Sequence, residues 1–382
     1  MVSLSVGTLL RLRPLRQLEH PREAIRQFTP NWFAVTMGTG ILALALPQLP
    51  LPGMQALGQA LWLFNIALFC LFSLMYAARW VFFFHEAKQV FGHATVSMFF
   101  GTIPMGLATI INGVLVFGVP LWGEQVVALA FNLWWLDVVL ALVCGVSIPY
   151  LMFTHQEHSI DQMTAVWLLP VVAAEVAAAS GGLLVPYLSG DQAYHVLITS
   201  YVLWAYSVPV ALSILVILLL RMAVHKLPHQ NMAASSLLSL GPIGTGALGL
   251  LLLGADAQSV MASRGLESVG TVAHGLGVIG GLLLWGLGLW WLLLALLITI
   301  RYFRHGVPFN LGWWGFTFPV GVYALATLKL GRVLQLGFFN AFGVCLVTLL
   351  ALMWLWVASR TLKGAWRGEL FVSPCIAEQC PR

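Results

Sequence analysis

The chain has 382 residues, 60% of them hydrophobic and only 8% charged, where an ordinary soluble domain carries roughly 25% charge. That balance excludes a soluble globular protein and leaves an integral membrane protein. The net charge of +5 follows from the way basic residues are shared among the loops, so it does not call for nucleic acid as a partner.

In chain order, residues 1–28 form a basic arm carrying Arg11, Arg13, Arg16, Arg22 and Arg26. No apolar core in the arm runs into a small-residue cleavage site, so no signal peptide is expected. Ten charge-poor stretches follow, each long enough to cross a ~30 Å hydrocarbon layer, which takes about 20 helical residues. They lie at approximately 31–50, 56–82, 95–118, 125–152, 163–187, 194–220, 236–254, 271–300, 311–330 and 334–358. Together they predict one ten-helix membrane domain over 29–360, followed by a tail over 361–382.

With the arm in the cytoplasm, ten spans place both termini inside. Fifteen of the 18 Lys and Arg then fall on the inner side, and only Arg264, Lys329 and Arg332 outside, the asymmetry that the positive-inside rule expects. Cys70, Cys144 and Cys345 lie in spans; Cys375 and Cys380 lie in the tail, where cytoplasmic thiols stay reduced. No disulfide framework follows. The tail pair CIAEQC lacks the second pair that a structural metal site needs, so neither metal nor cofactor is expected.

The odd-numbered spans share a feature that the even ones lack. MGTG at 37–40, IPMG at 103–106, LPVV at 169–172, GPIG at 241–244 and FPVG at 318–321 each put a helix breaker well inside a span. The intervals from Gly38 through Pro104, Pro170, Pro242 and Pro319 are 66, 66, 72 and 77 residues, about one helical hairpin plus loops. The pattern predicts an all-α fold of five repeated hairpins. Proline in a helix removes a hydrogen bond and frees the carbonyl four residues back, here those of Phe100, Val166, Leu238 and Gly315. Protein or water must satisfy such groups inside a membrane. The odd spans are therefore predicted to be kinked and to surround a common axis, with the aromatic even spans facing lipid or other subunits. Pro149 and Pro209, in even spans, break the rule. Close packing of small residues, common between membrane helices, is the competing reading of any single motif.

Chemistry-bearing residues are few. Glu175 and Asp137 are the acids deep within spans, where a charge costs about 2.5–3.5 kcal/mol on insertion scales. Glu175, five residues after Pro170 in a run of small residues, is a candidate proton-linked group or a paired structural acid. Asp137, near Trp134 and Trp135, reads as an interhelical hydrogen bonder. His85, His93, His155, Glu157 and His158 resemble only weakly the histidine boxes of a membrane oxidoreductase, because such a site needs more ligands in tight register. No GxxxxGK[ST] run is present, and nothing suggests nucleotide-driven transport. Thr36, Gly38, Thr39 and Gly40 could line a polar pore without fixed charge. Lys329 and Arg332, after the ninth span, either steer anions or snorkel at a helix end.

The blocks NWFAVTMGTGILALAL, WLLPVVAAEVAAASGGLL, GPIGTGALGLLLLG and FNLGWWGFTFPVGVYALATLKL resemble the tellurite-resistance/dicarboxylate transporter family. That family includes bacterial TehA, fungal malate permeases and sulfite pumps, and plant slow-type anion channels. The resemblance runs from about residue 28 to 360, and the ninth-span block is its most specific part. It implies ten helices in a quasi-five-fold arrangement around a pore, with three protomers each holding its own pore. It further implies a phenylalanine plug in an aromatic-Thr-Phe-Pro motif, which here is Phe316, Thr317, Phe318 and Pro319, so the gate falls on Phe318. The implied protein is a bacterial cytoplasmic-membrane transporter or channel, not an enzyme. Its cargo would be small anions such as chloride, nitrate, sulfite or C4-dicarboxylates.

Overall fold

The computed structural model describes residues 14–377. Among these residues there is no strand, and ten helices of twelve or more residues follow one another. They are α1 (Phe33–Ala45), α2 (Met54–Phe82), α3 (Thr102–Gly113), α4 (Val127–Thr154) and α5 (Leu169–Leu184). Then come α6 (Gly190–His225), α7 (Leu240–Ala262), α8 (Glu267–Arg304), α9 (Phe318–Leu334) and α10 (Gly337–Arg367). With their flanking turns, nine, α2 to α10, are long and apolar enough to cross a membrane among the described residues. The 13 residues of α1 are too few alone; 3₁₀ turns at Pro30–Trp32 and Leu46–Gln48 extend it at both ends.

Burial alternates along the chain. In α3, α5, α7 and α9 the most apolar stretch is 78, 94, 94 and 89% buried, against 22, 33, 33, 33 and 28% in α2, α4, α6, α8 and α10. All thirteen residues of α1 are buried. The inner helices pack in chain order, α1 on α3, α3 on α5, α5 on α7 and α7 on α9, and α9 returns to α1. Each outer helix touches the inner helix before it and the inner helix after it, and α10 reaches back to α1.

A recurrent bond fastens every outer helix to the next inner one. The indole Nε1 of Trp62 donates to the Ile110 carbonyl at 3.2 Å, that of Trp134 to Ala177 at 2.8 Å and that of Trp204 to Gly246 at 2.9 Å. Trp285 donates to Thr327 Oγ1 at 2.8 Å, and Trp354 of α10 to Thr39 Oγ1 of α1 at 3.1 Å. The even-span aromatics expected to face lipid thus include five tryptophans turned inward. A buried indole N–H needs a partner, and away from water each such bond stabilises by about 1 kcal/mol net.

The inner prolines do not kink α-helices. Pro170 and Pro319 occupy the first turn of α5 and α9, and Pro104 and Pro242 are third in α3 and α7. Short 3₁₀ or helical turns lead into each of these helices. In the first turn an amide hydrogen has no intrahelical acceptor anyway, so proline costs little there. The expected kinks are therefore helix starts. The prolines lying within α-helices are the outer Pro149 and Pro209.

Both ends of the described chain meet at one end of the bundle. Leu15 N and Gln17 N donate to the carbonyls of Trp366 and Arg367 at 2.7 and 3.0 Å. Beyond α10, Gly368 takes φ 85°, which suits glycine, and turns the chain back. Phe371 then stacks on Trp32 with centroids 4.9 Å apart. The fully buried Arg79 of α2 donates to the Phe28 carbonyl at 2.5 Å and to Ser373 Oγ at 3.3 Å. Arg26 reaches Glu86 at 2.9 Å, and that hydrogen bond raises its guanidinium above the ordinary value.

Candidate functional site

Two cavities enter the inner helices from opposite ends. The first, about 510 Å³, opens where the chain ends meet; Asn31, Met37, Thr102, Ser235 and Gly315 are among its wall residues, with Glu369 at its rim. The second, about 200 Å³, is walled by all five inner helices: Ile41 and Leu44 of α1, Thr109 and Asn112 of α3, Val176 of α5, Thr245 of α7 and Phe318 of α9. Lys329 and Arg332 also border it, and Arg332 Nη2 donates to Gln48 Oε1 at 2.8 Å.

Between them lies a belt in which residues 38–40, 103–108, 170–175, 239–244 and 316–317 border neither cavity. Most of the residues singled out in the sequence fall in it: Gly38, Gly40, Pro104, Pro170, Glu175, Pro242 and Thr317. At Gly38 and Gly40 helices come too close for a side chain. A Cβ at position 38 would stand 2.2 Å from Thr317 Oγ1, and one at position 40 would stand 1.9 Å from Thr109 Oγ1. Gly38 and Gly40 therefore serve the contacts of α1 with the α9 lead-in and with α3, and do not line a cavity. Thr36 and Thr317 are fully buried and donate to the Phe33 and Trp314 carbonyls at 2.8 and 2.7 Å.

Phe318 sits at the belt's edge. It is the first residue of α9, with Pro319 next to it in the first turn. Its ring is 3% exposed and borders the narrow cavity, while Gly315, three residues earlier, borders the wide one. Phe316, by contrast, packs outward against Trp313 and Phe303, with centroids 5.9 and 6.1 Å away.

Glu175 belongs to a different seam. It is fully buried and borders neither cavity; its Oε2 is 3.3 Å from Ser207 Oγ of the outer helix α6. Asp137 of α4 is likewise fully buried, and neither of its carboxylate oxygens has a hydrogen-bond partner. It makes no interhelical hydrogen bond of the kind expected.

The loop histidines are not brought together. His155 meets Thr154 Oγ1 at 2.6 Å, His158 meets Gln156 Oε1 at 2.9 Å, and His93 Nδ1 accepts from the amides of Thr95 and Val96 at 3.1 and 3.2 Å. Partial burial holds His158, packed beside Trp167, below the ordinary imidazole value. Among the described residues no three His, Cys, Asp or Glu side chains are grouped to hold a metal ion. Cys375 is buried beside Val90 and Val96, and Cys380 lies outside the described residues.

Sequence reasoning passed over Asn112 and Thr245, which border the narrow cavity. The signal was available, since an asparagine within an apolar span is expensive unless it has a task. Arg79, near the end of the second span, is a fully buried anchor for both chain ends, a role that the count of basic residues did not suggest.

A buried ring of helices around two facing cavities is the arrangement of a membrane transport protein. The chain matches the SLAC1 family, described as voltage-dependent anion channel, over residues 27–362. It belongs to that family, the grouping to which the ninth-span block points, and is a multi-pass anion transporter of it. A sulfite efflux pump of Arthroderma benhamiae is 38% identical over 355 residues, covering 91% of this chain and 93% of the relative. An uncharacterized transporter of Methanocaldococcus jannaschii is 25% identical over 94% of this chain and 99% of its own. The malic acid transport protein of Schizosaccharomyces pombe is 23% identical over 87% and 77%. These relatives are fungal and archaeal, and none of them supports the bacterial membrane expected from the sequence.

Proposed function

We propose that the protein is an uncoupled transporter of small anions, sulfite foremost, and that the path runs through both cavities and is closed at Phe318. The observation that carries this reading is the narrow cavity: five inner helices wall it, and Phe318, Lys329 and Arg332 border it. Paired cations raise the local anion concentration at a mouth. Hydroxyls and amides along the wall bind anions weakly enough to release them. The 38% identity to a sulfite efflux pump across nearly both chains favours sulfite over malate. Glu175 borders neither cavity, which favours passive flow over proton coupling.

The same reading takes α1 with its flanking turns as the tenth span, the inner helices as a quasi-five-fold ring, and the arm and tail as cytoplasmic. Large apolar side chains on the outer helices, among them Leu74, Phe153, Leu283 and Leu352, face lipid or the neighbours of a homotrimer. The test is a flux panel in proteoliposomes with sulfite, chloride and malate. Sulfite should move fastest without a proton gradient. Strict dependence on a proton gradient, or the absence of anion flux altogether, would refute the proposal.

A further inference from the structure

One indole bond runs against the direction of the five described above. Trp62, Trp134, Trp204, Trp285 and Trp354 each reach from an outer helix to an inner one. Trp314 stands in the 3₁₀ turn Leu311–Phe316 that leads into α9, and it reaches outward: its Nε1 donates to Thr361 Oγ1 of α10 at 3.0 Å. Both residues are buried. The roles are fixed, because an indole N–H can only donate and the single proton of Thr361 goes to the Val357 carbonyl at 2.9 Å.

From Trp314 the connection to the proposed gate is short. The Trp314 carbonyl accepts two bonds from Thr317, one from its amide at 3.1 Å and one from its hydroxyl at 2.7 Å. Thr317 is fully buried, and its own carbonyl accepts from Gly321 N at 3.0 Å, the bond that opens α9. Phe318 is the next residue in the chain. The place of its Cα, and with it the directions open to its ring, therefore depends on where Trp314 is held. The one polar atom of the Trp314 side chain is given to α10.

α10 is well placed to hold it. Trp354, seven residues before Thr361 and so about two turns away on the same side of the helix, donates to Thr39 Oγ1 of α1 at 3.1 Å. Trp356 packs on Trp313 of the lead-in with centroids 5.1 Å apart. On the other flank, position 38 of α1 has no room for a Cβ beside Trp314 and Thr317. The lead-in is thus clasped between α1 and α10, which are themselves tied together. Packing resists compression in such a clasp; a hydrogen bond also fixes direction.

We propose that Thr361 is a positioning residue of the gate: by accepting the indole proton of Trp314 it fixes the α9 lead-in against α10 and holds the Phe318 ring in its closed place. Thr361 borders neither cavity, so it acts through the lead-in and not on the anion. The inference rests on the reading of Phe318 as the gate.

The test measures anion current per folded protein in proteoliposomes of the full chain, for wild type, Thr361→Val, Thr361→Ser, Phe318→Ala and the double variant Phe318→Ala/Thr361→Val. Valine keeps the shape of threonine and removes the acceptor; serine keeps the acceptor. A hydrogen bond at the low end of the usual range corresponds to about a threefold change in an equilibrium. Thr361→Val should raise chloride and sulfite current alike, about threefold, and Thr361→Ser should match wild type. Trp314→Phe removes the same bond from the other side and should act as Thr361→Val does, so the result does not hang on one variant. In the Phe318→Ala background Thr361→Val should add nothing, because no ring is left to misplace; a general loosening of the fold would add leak in both backgrounds. Wild-type or lower current in Thr361→Val, the same gain repeated in the Phe318→Ala background, or a serine variant as leaky as the valine one would each overturn the positioning role while leaving the gate standing. No gain from Phe318→Ala itself would overturn the gate, and the positioning role with it.

Discussion

The two halves of the lumen differ in kind. The wide half is lined by apolar side chains with hydroxyls, amides and His93 among them, with a carboxylate, Glu369, at its rim and the returning chain at Leu370, Val372 and Pro374 along its wall. The narrow half has less than half that volume and two cations, Lys329 and Arg332. On the proposed path an anion arriving from the narrow end meets the charges of Lys329 and Arg332, then a mainly apolar wall with Thr109, Asn112 and Thr245 in it, then the Phe318 ring; from the other end it meets no lysine or arginine before the belt. The largest expected effect comes at Phe318, the proposed gate. Phe318→Ala should raise anion current by at least about fivefold, because displacing the ring otherwise costs a rotamer change of order a kcal/mol. Phe316→Ala, which empties a packed site between Trp313 and Phe303, should instead lower stability by about 3–5 kcal/mol and add no current. Current and thermal stability measured on both variants decide the matter: equal currents would make Phe318 ordinary packing.

The division into inner and outer helices was readable because glycine and proline recur at hairpin intervals, and recurrence survives errors at any single position. Their local meaning was not readable. Proline within an apolar run signals a break but not its kind, and a 3₁₀ turn handing over to a first-turn proline leaves the same letters as a kink. The inward tryptophans were also hidden. Trp62, Trp134, Trp204, Trp285 and Trp354 recur at similar intervals, yet aromatics are so abundant in the even spans that composition suggested lipid contact. Only the acceptors, which come from the next hairpin, distinguish them. Phe318 was reached through a resemblance rather than from its surroundings, and Asn112 and Thr245 went unremarked because each is an isolated polar residue whose neighbours belong to other helices.

A smaller effect should separate the two mouths. Lys329→Gln and Arg332→Gln each remove one of the cations bordering the narrow cavity, and flux should fall several-fold at low ionic strength. The loss should shrink as salt is raised toward 0.15 M, where the screening length is about 8 Å. Glu369→Gln at the other rim should change flux less than about twofold, since its carboxylate already bonds to Gln17 Nε2 at 3.1 Å and is exposed to screening. If the Glu369 variant had the larger effect, the assignment of attraction to the narrow end would be reversed.

The smallest effect is expected at Glu175, and its reason lies in geometry. An acid on an inner helix invites a role in the lumen, but the side chain leaves α5 on the side of α6, where Ser207 Oγ stands 2.8 Å from the Val171 carbonyl and 3.3 Å from Glu175 Oε2. A hydroxyl has one proton to donate, and the shorter bond takes it to the backbone. Glutamine at 175 keeps the size of the side chain and supplies an amide that can donate to the Ser207 oxygen, so the seam between α5 and α6 should close as before. Glu175→Gln should therefore leave both flux and its pH profile unchanged, with stability shifted by no more than about 1 kcal/mol. A flattened pH profile would show that the carboxyl communicates with the lumen through the belt, and would restore proton coupling as the better account of transport.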